Sequence, residues 1–156
     1  MKRLFSMCIF PYTIFLLYMM FFASGRTEFT MGFIQINPFM TIRHFIADHV
    51  PLQDVAINLF GNFFVFAPYG LLGLKFPRLN NIALLTTGFI LAIALIELTQ
   101  YITARGTADI DDIFLNTLGM MFGYYIYNKF YLQSHKIIDK ELHQLDKNLV
   151  YAYLKS

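Results

Sequence analysis

The sequence predicts an all-α membrane protein with four transmembrane helices, and three observations carry that prediction. Of 156 residues, 57% are hydrophobic and only 14% are charged, against about 45–50% and about 25% in soluble domains. The apolar residues gather into four stretches, each close to the about 20 residues that a bilayer-crossing helix requires. The basic residues are biased to one side of those stretches, as the positive-inside rule expects. The same composition excludes other classes. Aromatic residues make up 18% of the chain, too many for a disordered polymer. The single cysteine, Cys8, excludes an internal disulfide framework and any Cys-rich metal site. A net charge of +2 with no basic run leaves no footprint for nucleic acid.

The first span covers residues 4–23, with Lys2 and Arg3 before it and Arg26 after it. Pro11 lies inside it, where it kinks a membrane helix rather than ending it. A cleaved signal peptide is the competing reading, because Ala23-Ser24-Gly25 could serve as a cleavage site. Against it, the apolar stretch exceeds the about 7–15 residues of a signal-peptide core. The second span, 55–74, is closed by Lys75, Pro77 and Arg78, and Ala67-Pro68-Tyr69-Gly70 loosens or bends it. The third, 82–101, carries one charge, Glu97. The fourth, 113–132, has Asp111 and Asp112 at its mouth and Lys129 near its end. With both termini cytoplasmic, nine of the 12 Lys and Arg residues lie inside and only Arg26, Arg43 and Arg105 lie outside. Seven of the ten acids then lie on the outer side.

Residues 1–132 thus read as the membrane domain and 133–156 as a cytoplasmic tail. In the outer loop, 24–54, Asn37-Pro38 is a helix start, with Asn as cap and Pro in the first helical position. Ile42, Phe45, Ile46 and Val50 follow at helical spacing, which predicts a short amphipathic helix in the headgroup layer, ended by Pro51. His44, Asp48 and His49 on it read as a solvated polar face, because they match no metal motif. No metal or cofactor is expected. In the tail, Ile138, Leu142, Leu145 and Leu149 fall on one helical face, predicting an amphipathic helix on the cytoplasmic membrane surface. Gly119 and Gly123 form a small-xxx-small pair that permits close helix approach within the bundle.

Polar residues inside spans are costly and mark functional candidates. Asn58 and Asn62 are four apart; Glu97 and Gln100 are three apart; Asp109, Asp112 and Asn116 follow at three and four. Each set therefore lies on one helix face. At 1.5 Å per residue, all three faces fall within about one or two turns of the outer surface. Arg105, in the short connection between the third and fourth spans, is a candidate counter-ion for Glu97, Asp109 or Asp112. The predicted polar pocket is Asn58, Asn62, Glu97, Gln100, Arg105, Asp109, Asp112 and Asn116.

These residues carry a resemblance to VanZ-like membrane proteins. Ile36-Asn37-Pro38-Phe39 is similar to that family's Asn-Leu-x-Pro-Phe element, with Gln35 where the family usually has Asn. Asn62, Pro68 and Gly70 match its Asn-x5-Pro-x-Gly core. Glu97-Leu98-Thr99-Gln100, Arg105-Gly106 and Asp109-x-x-Asp112-x-x-x-Asn116-Thr117-x-Gly119 resemble its third block. The resemblance covers about residues 35–127, and it implies a link to resistance against teicoplanin-type glycopeptides.

Three functions compete. The first is a non-enzymatic protein of the cell membrane that lowers susceptibility to glycopeptides or acts in lipid-linked envelope processes. Its partners would be membrane lipids and a lipid-linked cell-wall precursor or the glycopeptide itself. The second is an enzyme acting on a lipid-linked or headgroup substrate at the outer leaflet. It would use Glu97 and Asp112 as catalytic acid/base candidates and Arg105 as anion binder; no nucleophile is evident beside them. The third, transport, is disfavoured, because a transport site belongs near the midplane and the chain has no pair of broken helices.

Overall fold

The computed structural model describes residues 2–22, 33–35, 37, 47, 51–105 and 107–155. Helix α1 is Lys2–Phe22, unbroken across Pro11. Helix α2 is Leu52–Phe66. It then tightens into a 3-10 segment, Ala67–Leu74, and the reason is local. Pro68 has no N–H to give and its ring opposes a regular α turn. The N–H of Ala67 already reaches the carbonyl of Phe64, three residues back. A second 3-10 turn, Pro77–Asn80, leads to α3, Ile82–Ile102. Asn81 caps α3, its side-chain oxygen accepting from the N–H groups of Ala83 (3.0 Å) and Leu84 (3.2 Å).

The end of α3 is a Schellman closure. The N–H of Arg105 donates to the carbonyl of Gln100 (3.0 Å) and that of Ala104 to Tyr101 (3.1 Å). Ala104 takes the left-handed conformation, φ 51°, that such a closure requires. Helix α4, Ile110–Tyr127, starts at once, capped by Asp109, whose Oδ1 accepts from the N–H of Asp111 (2.8 Å). Asp111 and Asp112 in its first turn suit the positive end of the helix dipole. A π turn, Asn128–Leu132, joins α4 to α5, Gln133–Lys155.

Two strands amend the all-α expectation. β1, Phe33–Gln35, pairs in parallel with β2, Thr107–Asp109, in the register Phe33 to Thr107, Ile34 to Ala108 and Gln35 to Asp109. The ladder gives main-chain groups in two connecting segments partners that a helix end could not supply.

Boundaries differ from expectation at the second and fourth helices. The second begins at Leu52 and is α-helical only to Phe66. The fourth begins at Ile110, and its α-helical part stops at Tyr127. Among the described residues, two helices, Arg3–Phe22 and Ile82–Ile102, are long and apolar enough to cross a bilayer. The amphipathic helix expected in the outer loop, with His44, Asp48 and His49, lies outside the described residues, apart from Asn37 and Ala47.

Helix α4 is the organiser of the core. It packs on the 3-10 segment Ala67–Leu74, on α2 and on α3. The buried cluster is Leu16, Phe66, Leu85, Phe89, Ile93, Met120 and Tyr124. The contact of α4 with α2 is backbone to backbone. A Cβ at Gly119 would strike the carbonyl of Phe63, and one at Gly123 the carbonyl of Ala67, one turn along. Gly70 answers from the other side, because a Cβ there would strike the Tyr124 amide. The Gly119/Gly123 pair is therefore used within the chain, as close helix approach requires.

Candidate functional site

The site is assembled where the end of α3, the start of α4 and the middle of α2 meet. The last turns of α3 supply Glu97 and Gln100, which are 3% and 2% exposed. Glu97 Oε2 accepts the main-chain N–H of Asp109 (3.1 Å). Asp109 is thus fixed from several directions. Its Oδ1 caps α4, and its Oδ2 accepts from Gln35 Nε2 (3.0 Å), its partner in the β ladder. One turn along α4, Asp112 Oδ1 accepts from Asn62 Nδ2 (3.0 Å), which joins α2 to α4. Gln100 Nε2 donates to the carbonyl of Met20 (2.9 Å), which joins α3 to α1.

Two members behave differently. The Arg105 guanidinium carbon lies 4.7 Å from the centre of the Phe22 ring, a cation–π arrangement at the end of α1. Asn116, one turn below Asp112, is 2% exposed, and its Oδ1 is buried with no hydrogen-bond partner among the described residues. A buried acceptor left without a donor costs about 1–3 kcal/mol. Beside it, Thr117 donates to the carbonyl of Ile113 (2.7 Å).

Of the eight residues proposed from sequence, Asn62 and Asp112 are brought into direct contact, and Glu97 meets the Asp109 backbone. Gln100 and Arg105 face α1, through Met20 and Phe22. Asn116 is buried on the same stretch of α4. Asn58 lies one turn before Asn62 on α2. Sequence reasoning missed the contacts of Gln35 and the roles of Met20 and Phe22. Gln35 had a signal, since it stands at the position that departs from the resembled pattern. The Met20 carbonyl and the Phe22 ring had none, because no spacing rule links α1 to a helix some eighty residues later.

The arrangement places four carboxylates (Glu97, Asp109, Asp111 and Asp112) and one guanidinium around the positive end of α4, wrapped by amide side chains. It offers acceptors, donors and one unmatched carbonyl oxygen at the end of an apolar bundle. That combination suits a ligand with a polar head.

A family model described as VanZ/LLP1 matches residues 9–132, well over half of the chain. The chain belongs to the VanZ/LLP1 family. No curated protein and no solved structure matches it. The VanZ/LLP1 match reaches further than the 35–127 resemblance at both ends, taking in most of α1 and the π turn after α4. Every proposed pocket residue and all the glycine contacts of α4 lie inside it; α5 lies beyond it. VanZ/LLP1 membership and two helices fit to cross a bilayer make this a membrane protein.

Proposed function

We propose that this VanZ/LLP1 protein is a multi-pass protein of the cell membrane that lowers susceptibility to teicoplanin-type glycopeptides or serves lipid-linked envelope processes, without catalysing a reaction. In this reading α1, α2 with its 3-10 extension, α3 and α4 are four spans, and both termini are cytoplasmic. The Glu97 end then faces outward, where glycopeptides and lipid-linked cell-wall precursors meet the membrane. The observation that carries the reading is the hydrogen-bonded set at that end: Asn62 to Asp112, Glu97 to Asp109, and the unmatched Asn116 oxygen. Polar groups this buried within a membrane bundle mark function by default.

Deletion should raise teicoplanin sensitivity and overexpression should lower it, measured as inhibitory concentration. No change in either direction overturns the resistance reading. Orientation has its own test. In a Cys8→Ser background, an impermeant maleimide applied to intact cells should label Arg26→Cys and spare Lys75→Cys; the reverse pattern inverts the topology.

A second reading, an enzyme on a lipid headgroup at the outer leaflet, is favoured by one observation. Glu97 is a carboxylate buried to 3% exposure and held by a backbone N–H. Glu97→Gln keeps that acceptor and removes the acid. A lipid profile identical to wild type, with the protein stably expressed, eliminates the enzyme.

A further inference from the structure

A cavity of about 380 Å³ runs between α1, the 3-10 segment Ala67–Leu74 and α3. That volume falls within the about 300–1,000 Å³ of small-molecule sites. Its walls are Leu16 and Met20 on α1, Tyr69 and Leu72 on the 3-10 segment, and Gly88 and Ile93 on α3. Almost every lining group is apolar. The polar groups of Thr13 and Tyr69 are joined to each other, the Tyr69 hydroxyl donating to Thr13 Oγ1 (3.0 Å).

We infer that this cavity holds one acyl chain of a membrane phospholipid, with its headgroup against the Glu97 end. Shape is the first argument. The lining on α3 runs from Leu85 to Ile96, which at 1.5 Å per residue is about 16 Å along the helix axis. Such a slot, apolar and parallel to the helices, is the shape that an extended acyl chain fills.

Access is the second argument. Gly88 and Ala92 are exposed, and a Cβ at Gly88 would meet nothing within 4 Å among the described residues. Small residues on α3 therefore leave the slot open sideways, which is how a lipid enters from a bilayer.

Continuity is the third argument. Met20 lines the cavity and its carbonyl accepts from Gln100. Ile96, also in the lining, is the neighbour of Glu97. Two residues beyond Met20, Phe22 carries the Arg105 guanidinium. A chain in the slot thus brings its headgroup to Gln100, Arg105 and the acids beyond them, an apolar channel ending in charge. This inference rests on the membrane-protein reading and adds a ligand class to the proposed pocket.

The test uses the full-length protein in vesicles of phosphatidylcholine and phosphatidylglycerol, with a phosphatidylglycerol carrying a photoreactive diazirine on one acyl chain. Peptide mapping should concentrate the label on the segments 13–20 and 85–93, above the exposed, lipid-facing Leu95. Gly88→Leu, which fills the slot without a clash, should cut labelling of those segments by about tenfold, a shift of about 1.4 kcal/mol, and leave Leu95 unchanged. Ala92→Phe should do the same, so that misfolding of one variant does not stand in for the result. Equal labelling of the slot and Leu95, or no response to either variant, overturns the inference. Displacement of the label by a polyprenyl phosphate but not by unlabelled phosphatidylglycerol also overturns it. Neither variant touches the polar cluster. Loss of slot labelling with unchanged glycopeptide sensitivity therefore separates failure of the proposed function from failure of this inference.

Discussion

The two ends of α4 are held by opposite means. At its start, polar side chains do the joining: Asp112 to Asn62 on α2, and Asp109 to Glu97 and to Gln35. Toward its end, glycines remove side chains so that backbones touch, Gly119 on Phe63, Gly123 on Ala67 and Gly70 on Tyr124. A long-range polar contact helps there, the Tyr124 hydroxyl donating to the carbonyl of Asn80 (2.6 Å). The comparison sets two ways of joining helices side by side within one helix. Bare backbone contact gives tight, dry packing and nothing for a ligand to grip. The polar end keeps groups that a ligand could use, including the buried Asn116 oxygen, which has no donor among the described residues.

The largest effect should come from breaking the close-packed end. Gly123→Val puts a branched side chain against the Ala67 carbonyl, and the backbone there has no room to give. We expect a loss of about 3 kcal/mol or more, the upper part of the range for overpacking, measured by denaturant titration of the purified protein in mixed micelles. A change below about 1 kcal/mol would show that the two backbones are not in contact.

Next comes the polar end. Removing the Asn62–Asp112 bond by Asn62→Leu should cost about 1–2 kcal/mol, since a bond to a charged group is worth more than a neutral one and bonds in membrane bundles are individually modest. A double-mutant cycle with Asp112→Ala, which removes the acceptor, should return a coupling of similar size; a coupling near zero removes the link between α2 and α4. Tyr124→Phe belongs to the same class but is smaller, about 0.5–1.5 kcal/mol.

Asn116 sharpens the contrast. Among the described residues its oxygen has no hydrogen-bond partner, and an unpaired buried acceptor is a cost rather than a support, so Asn116→Leu should cost no stability while abolishing any glycopeptide phenotype. Equal loss of stability and phenotype would make Asn116 a packing residue. Ala104 gives the smallest effect and the opposite sign. Its left-handed φ of 51° strains any residue with a Cβ, so Ala104→Gly should stabilise by up to about 1 kcal/mol.

The sequence was most informative where hydropathy and helix were the same thing. Helix α3 was expected over 82–101 and runs Ile82–Ile102, because its interior has one charge; its Asn81 cap was not read from the sequence. It was less informative where two rules overlapped. Pro68 signalled a loosened second span, but only the carbonyl geometry at Phe64 shows that the helix tightens into a 3-10 segment rather than bending. The fourth helix was cut at 132 because polarity begins there, yet polarity ends a membrane span without ending a helix. The parallel pairing of Phe33–Gln35 with Thr107–Asp109 was invisible. Three-residue strands have no period to detect, and their pairing depends on where two distant segments come to lie. The buried polar residues were legible because Asn, Gln and Glu inside apolar runs stand out one by one. Their partners were not, because a backbone carbonyl such as that of Met20 has no sequence signature.

The π turn at Asn128–Leu132 sets an angular phase. A π turn carries one residue more than the α turn it replaces, and one residue is about 100° of rotation at 3.6 per turn. Helix α5 therefore presents its exposed Ile138, Leu142 and Leu145 about a quarter-turn or more away from where an unbroken helix would aim them. Deleting one residue at the turn would keep the composition and hydropathy of the chain and still swing that apolar stripe to a new bearing. The direction the tail faces is encoded by a single extra residue rather than by the tail itself.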